Sequence, residues 1–198
     1  MEESTKNKIL ITAQDLFISK GFSGTTMRDI ASSANINKGL LHYYFQSKKI
    51  LFENVLQLTT FQLIPKIDNI IHLDIKMDEK IELIVDEYVE FLLKNPKIPP
   101  FMINEMNNNT EIFLNSIRGS GINSKVGQIA GELTSQLKKN SKIEPIHFYF
   151  NLLSLLLYPF LMRPLIENIV LPEKDQFVYL MRLRKKIVVD IIVKHLNE

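Results

Sequence analysis

Apolar residues recur at intervals of three and four along nearly all of this 198-residue chain, and clear alternating runs are lacking, so the pattern predicts an all-α protein. Ile9, Ala13, Leu16 and Phe17 form one face of a first helix over roughly 4–20. Gly21 is expected to end it in a left-handed conformation, with Phe22 folding back on the core. Thr25 and Thr26 precede a second helix, whose inner face is Met27, Ile30, Ala31 and Ala34. A threonine there can accept first-turn N–H groups, and Asp29 lies near the positive end of the dipole. Asn35 sits where a tight turn wants a left-handed residue, and Asn37 can cap a short third helix. Ser47 can cap a fourth helix, expected over 48–71 with a bend at Pro65.

Beyond it the pattern predicts a helical body. Residues 77–94 place Ile81, Ile84, Val85, Tyr88, Val89 and Leu92 on one face, and Asn95-Pro96 stops the helix. A shorter helix starts at Pro99 or Pro100. Residues 110–117 and 124–139 read as helices separated or weakened by "RGSGINS". Another runs over 145–163, and Pro172 opens a last one ending near residue 196. The chain therefore divides near residue 47. A three-helix unit, 1–47, leads into a larger helical unit, 48–198.

Composition narrows the function classes. Cysteine is absent, which excludes disulfides, thiolate metal sites and cysteine nucleophiles. The most apolar stretch, "FNLLSLLLYPFL" at 150–161, is too short to span a bilayer and contains Pro159. The N-terminus lacks the pattern of a signal peptide, so a cytoplasmic protein without a membrane role is expected. The net charge is only +2, but residues 1–50 carry seven basic and four acidic groups, an excess of +3. That excess is compatible with a phosphate-bearing partner.

The charge excess coincides with "TTMRDIASSANINKGLLHYYF", residues 25–45. Two short helices joined by a tight turn follow the helix-turn-helix plan. In the second, Leu41 and Phe45 share the buried face with Ile36 nearby. Lys38, Gly39, Leu40, His42, Tyr43 and Tyr44 are left to project outward or along the rim. Gly39 would let backbone approach DNA closely, Lys38 and Lys48 can neutralise phosphates, and tyrosine hydroxyls can donate to phosphate oxygens. Arg28 can reach DNA or pair with Asp29, and Leu40 can meet a thymine methyl or only pack. His42 is the only histidine in this unit, so no metal site is expected.

The ordered set "LFISKGFSGTTMRDIASSANINKGLLHYYFQSKKILF", Leu16 to Phe52, resembles the tetracycline-repressor (TetR/AcrR) family of bacterial transcription regulators. The match is carried by Gly-Phe after the first helix, Thr-Thr, "IA", "KG", "YYF" and "SK". The resemblance implies an N-terminal helix-turn-helix domain, an all-α effector-binding and dimerisation domain, and a homodimer, usually a repressor, on a near-palindromic operator. The DNA-contact positions it implies are Thr26, Asn37, Lys38, Gly39, Leu40, His42, Tyr43, Tyr44 and Lys48. Leu40 stands where a small polar residue is frequent, His42 where Tyr is frequent, Tyr44 where His is frequent, and Asn35 replaces a common turn glycine.

On the same grounds the body should bind a small molecule. Phe61, Tyr88, Phe91, Phe101, Met102, Met106, Phe113 and Phe148 are apolar pocket candidates, with Asn104, Glu105 and Arg118 as polar ones; any one of the apolar set is also ordinary core material. An apolar or amphipathic effector fits them, and no cofactor is implied. The last two helices, about 145–163 and 173–196, carry more apolar residues than one packing face needs: Leu152, Leu153, Leu156, Leu157 and Phe160, then Phe177, Leu180, Met181, Ile187, Val188, Ile191 and Ile192. Pairing with a second copy would form a four-helix interface. A small helical enzyme and a helical adaptor are the rival classes. The four histidines are scattered, and neither a His-Glu-x-x-His motif nor a phosphate-binding loop occurs, so no enzyme is expected.

Overall fold

The computed structural model describes residues 2–119, 121–135, 144–171, 173 and 176–197. Among them are helices and connecting turns and no strand. The elements are α1 (Glu2–Gly24), α2 (Met27–Ser33), α3 (Lys38–Tyr44), α4 (Lys48–Phe61), α5 (Ile64–Ile71), α6 (Met77–Lys94), α7 (Ile98–Asn108), α8 (Thr110–Gly119), α9 (Ile122–Ser135), α10 (Pro145–Leu161), a short α11 (Arg163–Leu165) running into a π turn (Ile166–Val170), and α12 (Gln176–Asn197).

The chain packs as two compact units. One holds residues 1–62 and 100–123, the other 63–99 and 124–198. The first therefore holds more than residues 1–47, because α4 packs on α1 and α8 packs on α4. Its core is Ile9, Ala13, Phe17, Ile30, Leu41, Phe45, Leu51, Phe52 and Val55, joined by Phe101 and Phe113. Phe52 meets Phe17 and Phe22 edge-on, with ring centroids 5.0 and 4.8 Å away, a geometry aromatic quadrupoles favour.

Local chemistry sets the turns of this unit. Gly21 adopts φ 72° and ψ 172°, so the regular part of α1 ends at Lys20 and a last turn follows the kink. A β-carbon there would lie 3.1 Å from the Glu105 carboxylate, a second reason for glycine. Asn35 is the left-handed residue of the α2–α3 turn, with φ 53°. The Ser47 hydroxyl accepts the Ile50 N–H at the start of α4.

The fourth helix does not run to residue 71. It stops at Phe61, and α5 begins afresh at Ile64 with Pro65 in its first turn. Proline lacks an N–H donor and suits a helix start better than a mid-helix bend.

The second unit is built around α6, which packs on α12, α5 and α10. Ile81, Ile84, Val85, Val89 and Leu92 of α6 meet Leu152, Leu156 and Phe160 of α10 and Phe177, Met181, Val188 and Ile192 of α12. Lys185 of α12 donates to Asp86 and to Glu90 of α6 (2.8 Å to the latter). Burial opposes the charge of Lys185, but the two carboxylates outweigh it and raise its proton affinity, while the Lys185 hydrogen bond holds the Glu90 carboxyl below its ordinary range. The expected ends of two helices, residues 136–139 and Pro172, lie outside the described residues.

Candidate nucleic-acid interface

The α2–α3 pair is fixed by caps at both starts. Thr26 caps α2: its hydroxyl accepts the Asp29 N–H at 3.1 Å, and the Asp29 carboxylate accepts the Thr26 N–H at 3.0 Å and its hydroxyl at 2.7 Å. This reciprocal arrangement satisfies two backbone donors at a helix start. It also holds the Asp29 carboxyl below the usual range, chiefly through the Thr26 side-chain hydrogen bond. Asn37 caps α3, its side-chain oxygen accepting the Leu40 N–H at 2.8 Å.

Leu41 and Phe45 are fully buried and anchor α3, and Ile36 is half-buried against the same core. That leaves Lys38, Gly39, His42 and Tyr43 exposed, with Tyr43 at 68 % exposure. Arg28, Thr26 and Asn37 are exposed as well. Leu40 and Tyr44 are half-buried, and Tyr44 packs against the core while its ring meets Tyr43 edge-on at 5.3 Å. One ring nitrogen of His42 lies 3.3 Å from the Gln46 carbonyl. A β-carbon on Gly39 would come within 3.3 Å of the capping oxygen of Asn37, so glycine there also leaves room for the cap.

Lys48 has an employment the sequence did not reveal. Its ammonium donates to the Phe22 carbonyl at 2.9 Å and the Thr25 carbonyl at 3.0 Å, and lies 4.2 Å from the centre of the Phe22 ring. From the other side, the Phe22 N–H donates to the Glu105 carboxylate of α7 at 3.0 Å. Glu105 is fully buried and also accepts from Asn109 at 2.7 Å. Thr25 is buried too, its hydroxyl donating to the Leu16 and Gly21 carbonyls. The turn entering α2 is thus pinned by α4, by α7 and by its own threonine. A sequence signal for Glu105 exists: it lies four residues after Phe101, on the core-facing side of α7.

The candidate effector residues divide between the two units. Phe101, Met102 and Phe113 belong to the core of the first unit, where they pack with α1 and α4 residues. Asn104 and Glu105 serve the turn after α1, and Met106 and Arg118 are exposed. Phe91 and Phe148 pack in the core of the second unit, and the side chain of Phe61 lies outside the described residues. Of the described candidates, Tyr88 alone lines the apolar cavity of the second unit, about 70 Å³ between α5, α6, α9 and α10.

The apolar residues of α10 and α12 divide between the core and the surface. Leu152, Leu156, Phe160, Phe177, Met181, Val188 and Ile192 are consumed by the unit's own core, while Leu153, Leu157 and Ile191 are half-buried. Facing out are Ile146, Phe150 and Tyr158 of α10, at multiples of four, and Tyr179, Leu180, Leu183 and Ile187 of α12. No single described helix is long and apolar enough to cross a membrane.

A capped, core-anchored helix with a basic and aromatic outer face, set behind a supporting helix, defines a helix-turn-helix unit. The family described as "Bacterial regulatory proteins, tetR family" matches residues 9–55. The likeness to that family is carried by this N-terminal domain. Over 55 residues it is 49% identical to the Probable HTH-type transcriptional regulator YttP of Bacillus subtilis (strain 168), covering 28% of this chain and 27% of that protein. Over 48 residues it is 52% identical to the Biofilm operon icaADBC HTH-type negative transcriptional regulator IcaR of Staphylococcus aureus (strain Newman), covering 24% and 26%. The match thus spans about a quarter of the length of these curated relatives.

Solved structures extend the likeness in fold to nearly the whole chain. The fatty acid degradation regulator FadR from Bacillus halodurans superposes with a TM-score of 0.72 at 15% identity, over 93% of this chain and 94% of that one. The TetR family transcriptional regulator PfmR from Thermus thermophilus gives 0.64 at 15% identity, over 92% and 97%.

Proposed function

We propose that the protein is a DNA-binding transcriptional regulator of the cytoplasm, a ligand-responsive repressor that binds a near-palindromic operator as a homodimer. The observation that carries this is the outer face of α3, where Lys38, Gly39, His42 and Tyr43 stand exposed on a helix locked by Asn37, Leu41 and Phe45. Such a helix offers a phosphate-neutralising cation, a close backbone approach and hydrogen-bonding tips to the major groove. Thr26 and Arg28 flank it on the phosphate side, Asn37, Leu40 and Tyr44 complete the contact surface, and Lys48 holds the turn behind it. Repression as the sign is supported by the name of IcaR as a negative regulator. The relatives are named as transcriptional regulators rather than enzymes.

The dimer reading rests on the outward stripe of α10 and α12. Seven large apolar side chains, each at least 36% exposed, form a face that a second copy would cover in a four-helix seam. In such a dimer the two reading helices meet successive major grooves when about 34–36 Å apart. A ligand that prefers another spacing would release the operator by population shift.

A gel shift with the protein's own upstream DNA tests this. Specific retardation is expected, weakening steeply with salt, and a Lys38→Ala, Tyr43→Ala double variant should lose it. Retention of full affinity by that variant would refute the assigned reading face.

A further inference from the structure

Among the described residues, the lining of the second unit's cavity is aliphatic except for two phenols, Tyr88 of α6 and Tyr149 of α10, and holds no charged side chain. Neither hydroxyl makes a hydrogen bond to a described residue. Among the described residues no fully enclosed side-chain oxygen or nitrogen lacks a partner, so each hydroxyl keeps access to the cavity or to solvent. Burial raises the proton affinity of both phenols, with Tyr149 adding to the effect on Tyr88, so both are neutral donors at physiological pH. An unspent hydroxyl inside an apolar wall is a recognition element, because a ligand that satisfies it gains what a matching hydrocarbon does not.

We propose that this cavity binds an uncharged, mostly apolar small molecule bearing one hydrogen-bonding group, such as an alcohol, ketone or ester, which the Tyr88 and Tyr149 hydroxyls hold. The inference rests on reading the second unit as the sensor. It disfavours carboxylates, phosphates and ammonium groups in the cavity, since no described lining side chain could act as a counter-ion to a buried charge. At about 70 Å³ the space is roughly half the ~150 Å³ that admits a benzene ring, so a ring-sized ligand must spread its walls. The α5 and α9 walls are tied on the outside by the Lys125–Asp68 pair at 2.6 Å, a partly exposed contact of the kind that separates at little cost.

Four probes of nearly one shape test this on the full chain: toluene, benzyl alcohol, benzoate and benzylammonium, each titrated by calorimetry and saturation-transfer NMR. Benzyl alcohol is expected to bind tightest and toluene about two- to tenfold more weakly, the worth of one net hydrogen bond, with the two ions not binding. The Tyr88→Phe, Tyr149→Phe double variant should bring benzyl alcohol down to the toluene level. Unchanged toluene binding in that variant would show that its fold and cavity are intact. Benzoate or benzylammonium binding as tightly as the alcohol overturns the proposal. So does an unchanged affinity for the alcohol in the double variant, or binding of none of the four. Operator affinity measured in the same solutions separates the two levels. Benzyl alcohol that occupies the cavity without changing DNA binding overturns the sensor reading and leaves the site standing.

Discussion

Replacing Lys48 with Met removes the ammonium while keeping an unbranched stem, and so isolates the clamp on the turn before α2. Two charge-assisted bonds, to the Phe22 and Thr25 carbonyls, disappear, together with the cation–π interaction with Phe22. Buried bonds of that type are worth ~1.5–3 kcal/mol each, but Lys48 is half-exposed, so ~1 kcal/mol each is appropriate. The cation–π interaction adds ~0.5–1 kcal/mol. The expected destabilisation is about 2–3 kcal/mol, which for a chain of this size lowers Tm by ~5–10 °C in a thermal melt followed by circular dichroism. A second readout separates clamp from phosphate partner. Removing one cation that neutralises a phosphate should flatten the dependence of log affinity on log salt by ~0.9. Lys48→Met should weaken operator binding without changing that slope, because its ammonium is engaged within the chain, whereas Lys38→Met should flatten it. An unaltered Tm together with a slope reduced by ~1 would show that Lys48 serves the phosphates and that the clamp contributes nothing.

Thr26→Ala should cost ~1 kcal/mol of stability in urea titration through loss of the α2 cap. The folded pKa of Asp29 is lowered, so its contribution is complete above the ordinary aspartate range and disappears as pH falls through the folded value; Thr26→Ala should remove that part of the acid sensitivity. Glu105→Gln presents an amide donor where the Phe22 and Asn109 N–H groups both need an acceptor, and should cost ~1–3 kcal/mol by the same measurement. Leu183→Asp with Ile187→Asp places charges on the outward α12 stripe; sedimentation velocity should show a monomer, and operator affinity should fall because both half-sites are needed.

What the sequence revealed of the fold was mostly local. Thr26, Asn35, Asn37 and Ser47 act within a few residues of themselves, and each does what its chemistry predicts. The anchoring of α3 by Leu41 and Phe45 follows from helical spacing alone. Relations across long sequence distance were not legible. Lys48 meets carbonyls 23 and 26 residues away, and the buried Glu105 meets an N–H 83 residues away. The effector candidates could not be sorted from the sequence because Phe and Met at helical spacing look alike in a core and beside a cavity. Phe101 and Phe113 proved to be core, whereas Tyr149, a tyrosine within an apolar helix, lines the cavity. The excess of apolar residues on α10 and α12 was visible, but which of them face outward depends on how the two pack on α6 and on each other.

Selection of bound sequences from random duplex DNA tests the central claim most directly. The account predicts enrichment of a near-palindrome whose half-site centres are one helical turn, ~10 bp, apart or a multiple of it, bound by a dimer and abolished in the Lys38→Ala, Tyr43→Ala variant. Failure to enrich any sequence, or enrichment that survives in that variant, would contradict it.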